Sequence, residues 1–469
     1  MLHQKSFNEL RSLYGSGAVS PVEVAISAIE HAESVNSRIN ALALLDRPRA
    51  LIAAERSHRR WRAGTPLGYL DGMPQTIKEF AAVEGWPTRR GSAVTTGDPV
   101  PTSTVFAERL LGAGITPLGK TRAPEFNWKG VTDSPAFGVT RNPWNTNLTP
   151  GGSSGGCSAA VSAGIVRVSL GSDAGGSIRI PAAFTGLLGL KPSFGRIPAS
   201  PIPSAFSQVV NTGPIAAGIH DLAEVMQVIS GPSGRDWTSF TGSTLDWVAA
   251  LSLPITALRI GVLASARWAE ADPEVKAGMD LVVKLFEGGG LQVVEVDFDV
   301  AAASEVGAIF YRIGCAAAIR SVPLAQRHLL DKDLIEYADG LDAVPLTDYL
   351  AACGRRDEYA NRLAMLFESV DVLALPTVPI LPFEASRMVP AGWHSNDWMS
   401  WNPYTPAFNI AQVPALSYPV WPDSSALPVG IQLVAPRHCD DRLVAIGAWL
   451  EPFIPVRLSP LANNSRPSL

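Results

Sequence analysis

The first clear pattern of apolar and polar positions is helical. In SPVEVAISAIEHAESV, Val24, Ile26, Ala28, Ile29, Ala32 and Val35 recur mostly three or four apart. Ser20 stands at the N-cap, Pro21 at the first helical position and Glu23 at the capping-box position. A second helix is predicted from about Pro48 to Trp61. GMPQTIKEFAAV (72–83) reads as a short strand leaving a turn. Residues 102–121 read as a helix, a glycine stop and a strand, which is an αβ unit.

Between about Asn142 and Gly195, Gly, Ser and Pro become frequent while apolar runs persist. SAAVSAGIVRVSLGSD predicts a small-residue helix followed by a strand, and small side chains let a second backbone approach closely. Residues 231–256 are looser and read as a surface excursion. ALRIGVL (257–263), a helix from Pro273 to Gly288 and LQVVEVDFD (291–299) form a predicted βαβ unit. Helical pattern then runs from about 304 to 369, with breaks near Asp342–Pro345. DVLALPT (371–377) and LPVGIQLVA (427–435) read as buried strands, the latter followed by the helix DDRLVAIGAWLE. No internal repeat or clear linker interrupts the alternation, so the fold class is α/β and one large domain is favoured.

Composition narrows the function classes. The 469 residues allow two or three average domains or one large one, and 46% hydrophobic against 17% charged residues favours a large core. A net charge of −5 without a basic block leaves no footprint for nucleic acid or for an anionic membrane surface. MLHQKSFNELRSLYGSG lacks the apolar run of a signal peptide, and no window holds about 18 uninterrupted apolar residues, so neither export nor a spanning helix is expected. A cytoplasmic location follows. The four cysteines (Cys157, Cys315, Cys353, Cys439) are scattered and read as free thiols; with no ligand cluster, no metal or cofactor is expected.

Two glycine-serine stretches carry the chemistry. GSDAGGSIRIP (171–181) follows an apolar strand, where glycines let consecutive N–H groups converge on one point. A phosphate cradle is disfavoured, since GxxxxGK[ST] is absent. An oxyanion hole with Ser177 beside it, and a tight turn that lets another backbone pass, both remain open. TPGGSSGGCSAA (149–160) contains G-x-S-x-G twice, centred on Ser153 and Ser154. A nucleophile elbow needs a strand directly before it, and RNPWNTNLTP is a loop. None of the seven histidines has a context that marks it as a base. Lysine is the alternative base, and Lys78, Lys120 and Lys191 all sit in suitable places; the pattern alone does not choose among them.

LDGMPQTIKE, GKTRAPEF, AFGVTRNPW, PGGSSGG, GSDAGGSIRIPAAFTGLLGLKPSFGRIP, DVLALPTVPI and LPVGIQLVAP together resemble the amidase signature family of serine hydrolases. The likeness spans most of the chain, and the GGSSGG and GGSIR blocks lie 24 residues apart, serine to serine. It implies a single domain over 1–469 with a central mixed sheet covered by helices on both faces. The signature core would span about 70–220, a helical and βαβ excursion about 231–370, and the last strands and helix 371–455. It also implies a catalytic set of Lys78 as base, Ser153 as bridge after a cis peptide bond and Ser177 as nucleophile. The oxyanion hole would be formed by the N–H groups of Ala174, Gly175, Gly176 and Ser177. Asp173, Arg179 and Ser154 are expected to hold the loops without touching substrate. A neutral Lys78 requires its pKa to fall from about 10.4 toward ~7–8, a difference of roughly 4 kcal/mol that burial can supply. Glu79 is expected to face away from it.

The sequence departs from the family pattern at four places. Asp71 and Glu79 stand where His and Asp are common, Ala217 where Arg is common, and Cys157 where a small residue is usual. Cys157 is read as a small buried helix residue. The leading function is hydrolysis of linear amides at C–N bonds other than peptide bonds, through an acyl-enzyme, with esters and carbamates as side substrates. A glutaminase subunit of a tRNA-dependent amidotransferase, needing a partner chain, is the second reading; a non-catalytic scaffold is the third. The likeness allows a homodimer. PAGWHSNDWMSWNPYTP (390–406) is aromatic-rich, so Trp393, Trp398, Trp401 and Tyr404, with Phe126 and Trp128, are expected to wall a pocket for an aromatic or bulky apolar substrate.

Overall fold

The computed structural model describes residues 1–201, 206, 208–339, 344–423 and 425–463. Its strands are, in chain order, β1 (Leu42–Leu45), β2 (Pro74–Lys78), β3 (Thr116–Thr121), the short hairpin β4 (Asp133–Ser134) and β5 (Gly138–Val139), and β6 (Val168–Asp173). There follow β7 (Leu188–Lys191), β8 (Asn211–Ala216), β9 (Arg259–Leu263), β10 (Gln292–Val296), β11 (Val372–Pro376), β12 (Ala415–Val420) and β13 (Val429–Val434). All but the hairpin join one sheet in the order β1-β3-β2-β6-β8-β7-β12-β13-β11-β9-β10. The sheet is mixed: β2 runs parallel to both neighbours, β3 and β6, while β8, β7, β12 and β13 pair antiparallel in turn. Helices flank the sheet, and two large apolar clusters pack against its residues, one holding Ile77, Leu170 and Leu190, the other Leu118 and Ile215.

Local sequence accounts for several elements directly. Ser20 and Glu23 form a reciprocal capping box at the start of the helix Pro21–Ile39, with Pro21 at its first turn. The βαβ unit forms as expected, with β9 and β10 parallel around the helix Pro273–Gly288. The 304–369 stretch is more divided than its pattern implies: a 3₁₀ turn at Leu324–Leu329 separates the helices Ala302–Arg320 and Lys332–Ala338, and Pro345 stands at the N-cap of a third, Leu346–Ser369. Of the break predicted near Asp342–Pro345, the 342–343 part lies outside the described residues. Ala302–Arg320 has the length and mean hydropathy of a membrane span; it buries Phe310, Tyr311 and Cys315 against the rest of the protein.

The site lies where β2 and β6 end. Every residue of both strands is buried, as expected for parallel strands covered on both faces. Their carboxyl ends deliver Lys78 and the Ser172–Asp173 pair to the same edge of the sheet, the usual position for a ligand site in an open α/β sheet.

Candidate active site

Lys78 is fully buried, and its Nζ lies 2.7 Å from Ser153 Oγ and 3.1 Å from Ser172 Oγ. Burial lowers its pKa to about 7, against a smaller opposing pull from Cys157, Asp173 and Glu79. The Phe80 ring lies 5.7 Å from the same Nζ. Glu79 does turn away: its Oε1 accepts the Ala123 N–H at 3.1 Å, and burial raises its pKa. Lys120 and Lys191 are also buried, and burial lowers both to about 7. Acidity therefore does not discriminate among the three lysines, but contacts do. Lys120 donates to the carbonyls of Ala81 and Pro87 and to Thr88 Oγ1, and Lys191 to the carbonyls of Val413 and Pro192. A carbonyl has no proton to give, and Thr88 does not line the cavity that Ser177 faces; of the three lysines, Lys78 is the one aimed at serines, Ser153 and Ser172, that do.

Ser153 follows a cis Gly152–Ser153 peptide bond. Ser154 Oγ donates to the Ser172 carbonyl at 3.1 Å, and the Ser154 N–H donates to the Ser177 carbonyl at 3.1 Å. Ser154 thus ties both serine loops together without facing the cavity. Cys157 is fully buried, its Sγ 3.0 Å from Thr121 Oγ1, and burial raises its thiol pKa, as fits a packed helix residue.

The loop after β6 is held by a buried polar frame. Asp173 and Arg179 are both completely buried and pair in a bidentate fork, with two contacts of 2.9 Å. Burial opposes ionisation of Asp173. The Arg179 charge, with Lys191 and Asn409, outweighs it and holds the carboxyl well below its usual range. The remaining Arg179 donors reach the Thr405 carbonyl, Gln432 Oε1 and Asn409 Oδ1. Asn402 and Thr405 both donate to the Gly175 carbonyl, at 2.9 and 2.7 Å. Gly176 has φ +123°, and a Cβ there would stand 2.1 Å from Thr405 Oγ1, so only glycine fits.

One oxyanion donor expected from the sequence is occupied. The Gly176 N–H donates to Asp173 Oδ1 at 2.7 Å, and the Ile178 N–H donates to Oδ2 at 3.1 Å. A carboxylate three residues upstream captures that donor and shapes the turn. Among the described residues no acceptor engages the N–H of Ala174, Gly175 or Ser177.

Ser153, Ser172, Ala174 and Ser177 open onto one cavity of about 290 Å³. Its aromatic wall is Phe80, Phe126, Phe206 and Tyr311, with Val210, Ala317 and Ala318. This corrects the expected wall: Phe126 lines the cavity, but Trp128, Trp393, Trp398, Trp401 and Tyr404 do not. Trp128, Trp398 and Trp401 are wholly buried in a cluster with Phe184 and Phe383, Trp393 packs on its rim, and Tyr404 is buried in the main core. Large indole rings gain most from full burial, and here they buttress the wall from behind; Trp398 meets Tyr311 edge-on at 5.3 Å. Trp401→Ala is accordingly expected to cost about 3–5 kcal/mol of stability. The ratio of kcat/KM for aryl over short aliphatic amides should stay at its wild-type value; a changed ratio would return Trp401 to the substrate wall. Sequence reasoning missed Phe80, Phe206, Tyr311 and Arg90, and the only available signal was that Phe80 and Arg90 flank recognisable stretches.

Among the described residues no group of three or more His, Cys, Asp or Glu side chains is placed to hold a metal ion.

The family model Amidase matches residues 23–444. A glutamyl-tRNA(Gln) amidotransferase subunit of Synechococcus sp. (strain CC9605) is 33% identical over 465 residues, covering 93% of this chain and 94% of that protein. An acylamidase of Rhodococcus erythropolis is 32% identical over 453 residues, covering 94% of each. The crystal structure of a bacterial aryl acylamidase of the amidase signature family superposes with a TM-score of 0.88 at 28% identity, covering 99% of this chain and 100% of that one.

Proposed function

This chain belongs to the amidase signature family, and on that premise we propose that it hydrolyses carboxamides as a lysine-activated serine hydrolase. The observation that carries the reading is the 2.7 Å contact between buried Lys78 and Ser153, beside a cavity that Ser177 also lines. Neutral Lys78 takes the Ser153 proton as Ser153 takes that of Ser177. Ser177 Oγ attacks the carbonyl carbon, and the N–H groups of Ala174, Gly175 and Ser177 receive the oxyanion. The proton returns through Ser153 to the leaving nitrogen, the C–N bond breaks, and water reverses the sequence on the acyl-enzyme. Esters and carbamates fit the same acyl transfer. Phe80, Phe126, Phe206 and Tyr311 favour a substrate with an aromatic or bulky apolar body.

The relatives named as amidotransferase subunits support a second reading, a glutaminase working with a partner chain. Against it, among the described residues no acidic side chain lines the cavity to pair with the α-ammonium of free glutamine. The two readings separate in one experiment on the purified chain: fluorophosphonate labelling mapped by mass spectrometry, run beside turnover of simple aryl amides. A Ser177 adduct with turnover is expected. An adduct with turnover only after a partner is added would favour the glutaminase, and no adduct would leave a non-catalytic scaffold.

A further inference from the structure

Resting on the hydrolase reading of the same cavity, we propose that Arg90 is a specificity-determining residue that selects amides bearing a carboxylate on an otherwise apolar body. Arg90 lines the cavity with Ser177, and among the described residues no acidic side chain lines it. Among those residues, too, no hydrogen-bond acceptor or carboxylate engages its guanidinium, and burial is the sole influence lowering its pKa. Two other arginines that burial affects are fully engaged. Arg179 uses five contacts, and Arg109 reaches the carbonyls of Ile229, Ser230, Gly231 and Pro232. No Arg90 nitrogen is among the buried orphaned atoms, so its donors face the open cavity, and a ligand carboxylate is the planar group that matches their fork.

The backbone fixes Arg90 in that place. Arg90 (φ 49°), Phe126 (φ 47°) and Asn127 (φ 63°) all adopt left-handed conformations and all line the cavity. Such residues cost about 1–3 kcal/mol each and persist where the surroundings over-determine them, often at ligand clamps. The Phe126 N–H donates to the Arg90 carbonyl at 2.8 Å, stitching the two strained turns together. At Gly91 a Cβ would stand 2.5 Å from the Ala123 carbonyl, so the turn is pressed against the 123–126 segment. Beside it, Asn127 Oδ1 is buried without a partner and is free to accept a substrate N–H. The aromatic wall takes the apolar body, and among the described residues no acidic side chain lines the cavity to pair with the ammonium of a zwitterionic amino acid.

The test uses two aryl amides that differ only in a distal carboxylate or methyl group. Wild-type kcat/KM is expected to favour the carboxylate member by on the order of 10²-fold. Arg90→Met should bring the ratio to about one, and Arg90→Lys, which keeps charge but loses the fork, to a value between. Should Arg90→Met not fold, the wild-type ratio and its fall in Arg90→Lys decide. A wild-type ratio near one, or a ratio unmoved by either substitution, overturns the inference. Fluorophosphonate labelling of Ser177 run in parallel separates the two levels. Labelling with a ratio of one sinks only the Arg90 assignment, whereas no labelling overturns the hydrolase reading and this inference with it.

Discussion

Lys78→Met is expected to lower kcat/KM for amides by on the order of 10³-fold, the range of a lost general base, while leaving the protein at least as stable as wild type. Methionine fills nearly the same volume at this buried end of β2 and needs no proton acceptor. Activity and stability therefore move in opposite directions, which a merely structural lysine would not produce. In the wild type the working form is neutral Lys78. Its pKa of about 7 makes kcat/KM fall about tenfold per unit below that pH and level off above it. The residual activity of Lys78→Met should lack that limb. Stability carries the complementary sign. An unfolded lysine titrates near 10.5 and the folded one near 7, so the contribution of Lys78 is most favourable above pH 10.5 and is lost as pH falls to about 7. The thermal advantage of Lys78→Met should be largest at pH 7 and shrink toward pH 10. A variant that kept the wild-type pH limb, or that reacted with fluorophosphonate at the wild-type rate, would remove Lys78 from the base role.

Why Lys78 could be named from sequence, and Arg90 could not, has a physical reason. Lys78, Ser153 and Ser177 sit in short contiguous motifs that resemble those of a known family, and that resemblance, not spacing, sets Lys78 apart from Lys120 and Lys191. The capping box at Ser20 and the βαβ unit at 257–299 are legible because local spacing decides them. The cavity wall is assembled from four distant segments, and aromatic content does not say which face of a segment meets solvent. The richest aromatic segment, 390–406, went into the core because its rings bury most when enclosed. Strands β7, β8 and β12 have apolar runs interrupted by glycine or proline, β1 is only four residues long, and all four take their place from long-range pairing. The capture of the Gly176 N–H was readable in principle. Asp173 stands three residues upstream, and a short acidic side chain at that offset competes for backbone donors.

Arg179 is where stability and catalysis are most tightly joined. Arg179→Met removes the counter-charge of a carboxylate with no exposure to water, which costs about 3–5 kcal/mol. It also strips donors from the Thr405 carbonyl, Gln432 and Asn409. Arg179→Lys should recover little, since three donors on one point cannot replace a fork that makes five contacts. Adding Asp173→Asn to Arg179→Met removes the bare charge, so the double variant is expected to be more stable than Arg179→Met alone. Its activity should stay low. Asp173 accepts the Gly176 and Ile178 N–H groups that curve the loop on either side of Ser177, and a displacement of about 1 Å there costs on the order of 10²-fold. Acidification separates charge from packing. With Arg179 present the depressed Asp173 pKa stabilises the fold above pH 3.8, and that share is lost as pH falls below it. Without Arg179 the buried carboxyl is expected to titrate above its usual range, so protonation relieves the variant as pH falls. The difference in unfolding free energy between wild type and Arg179→Met should therefore narrow from pH 7 toward pH 4. A gap that stays constant over that range would mean that Arg179 holds the nucleophile loop by shape alone and that its pairing with Asp173 contributes nothing net.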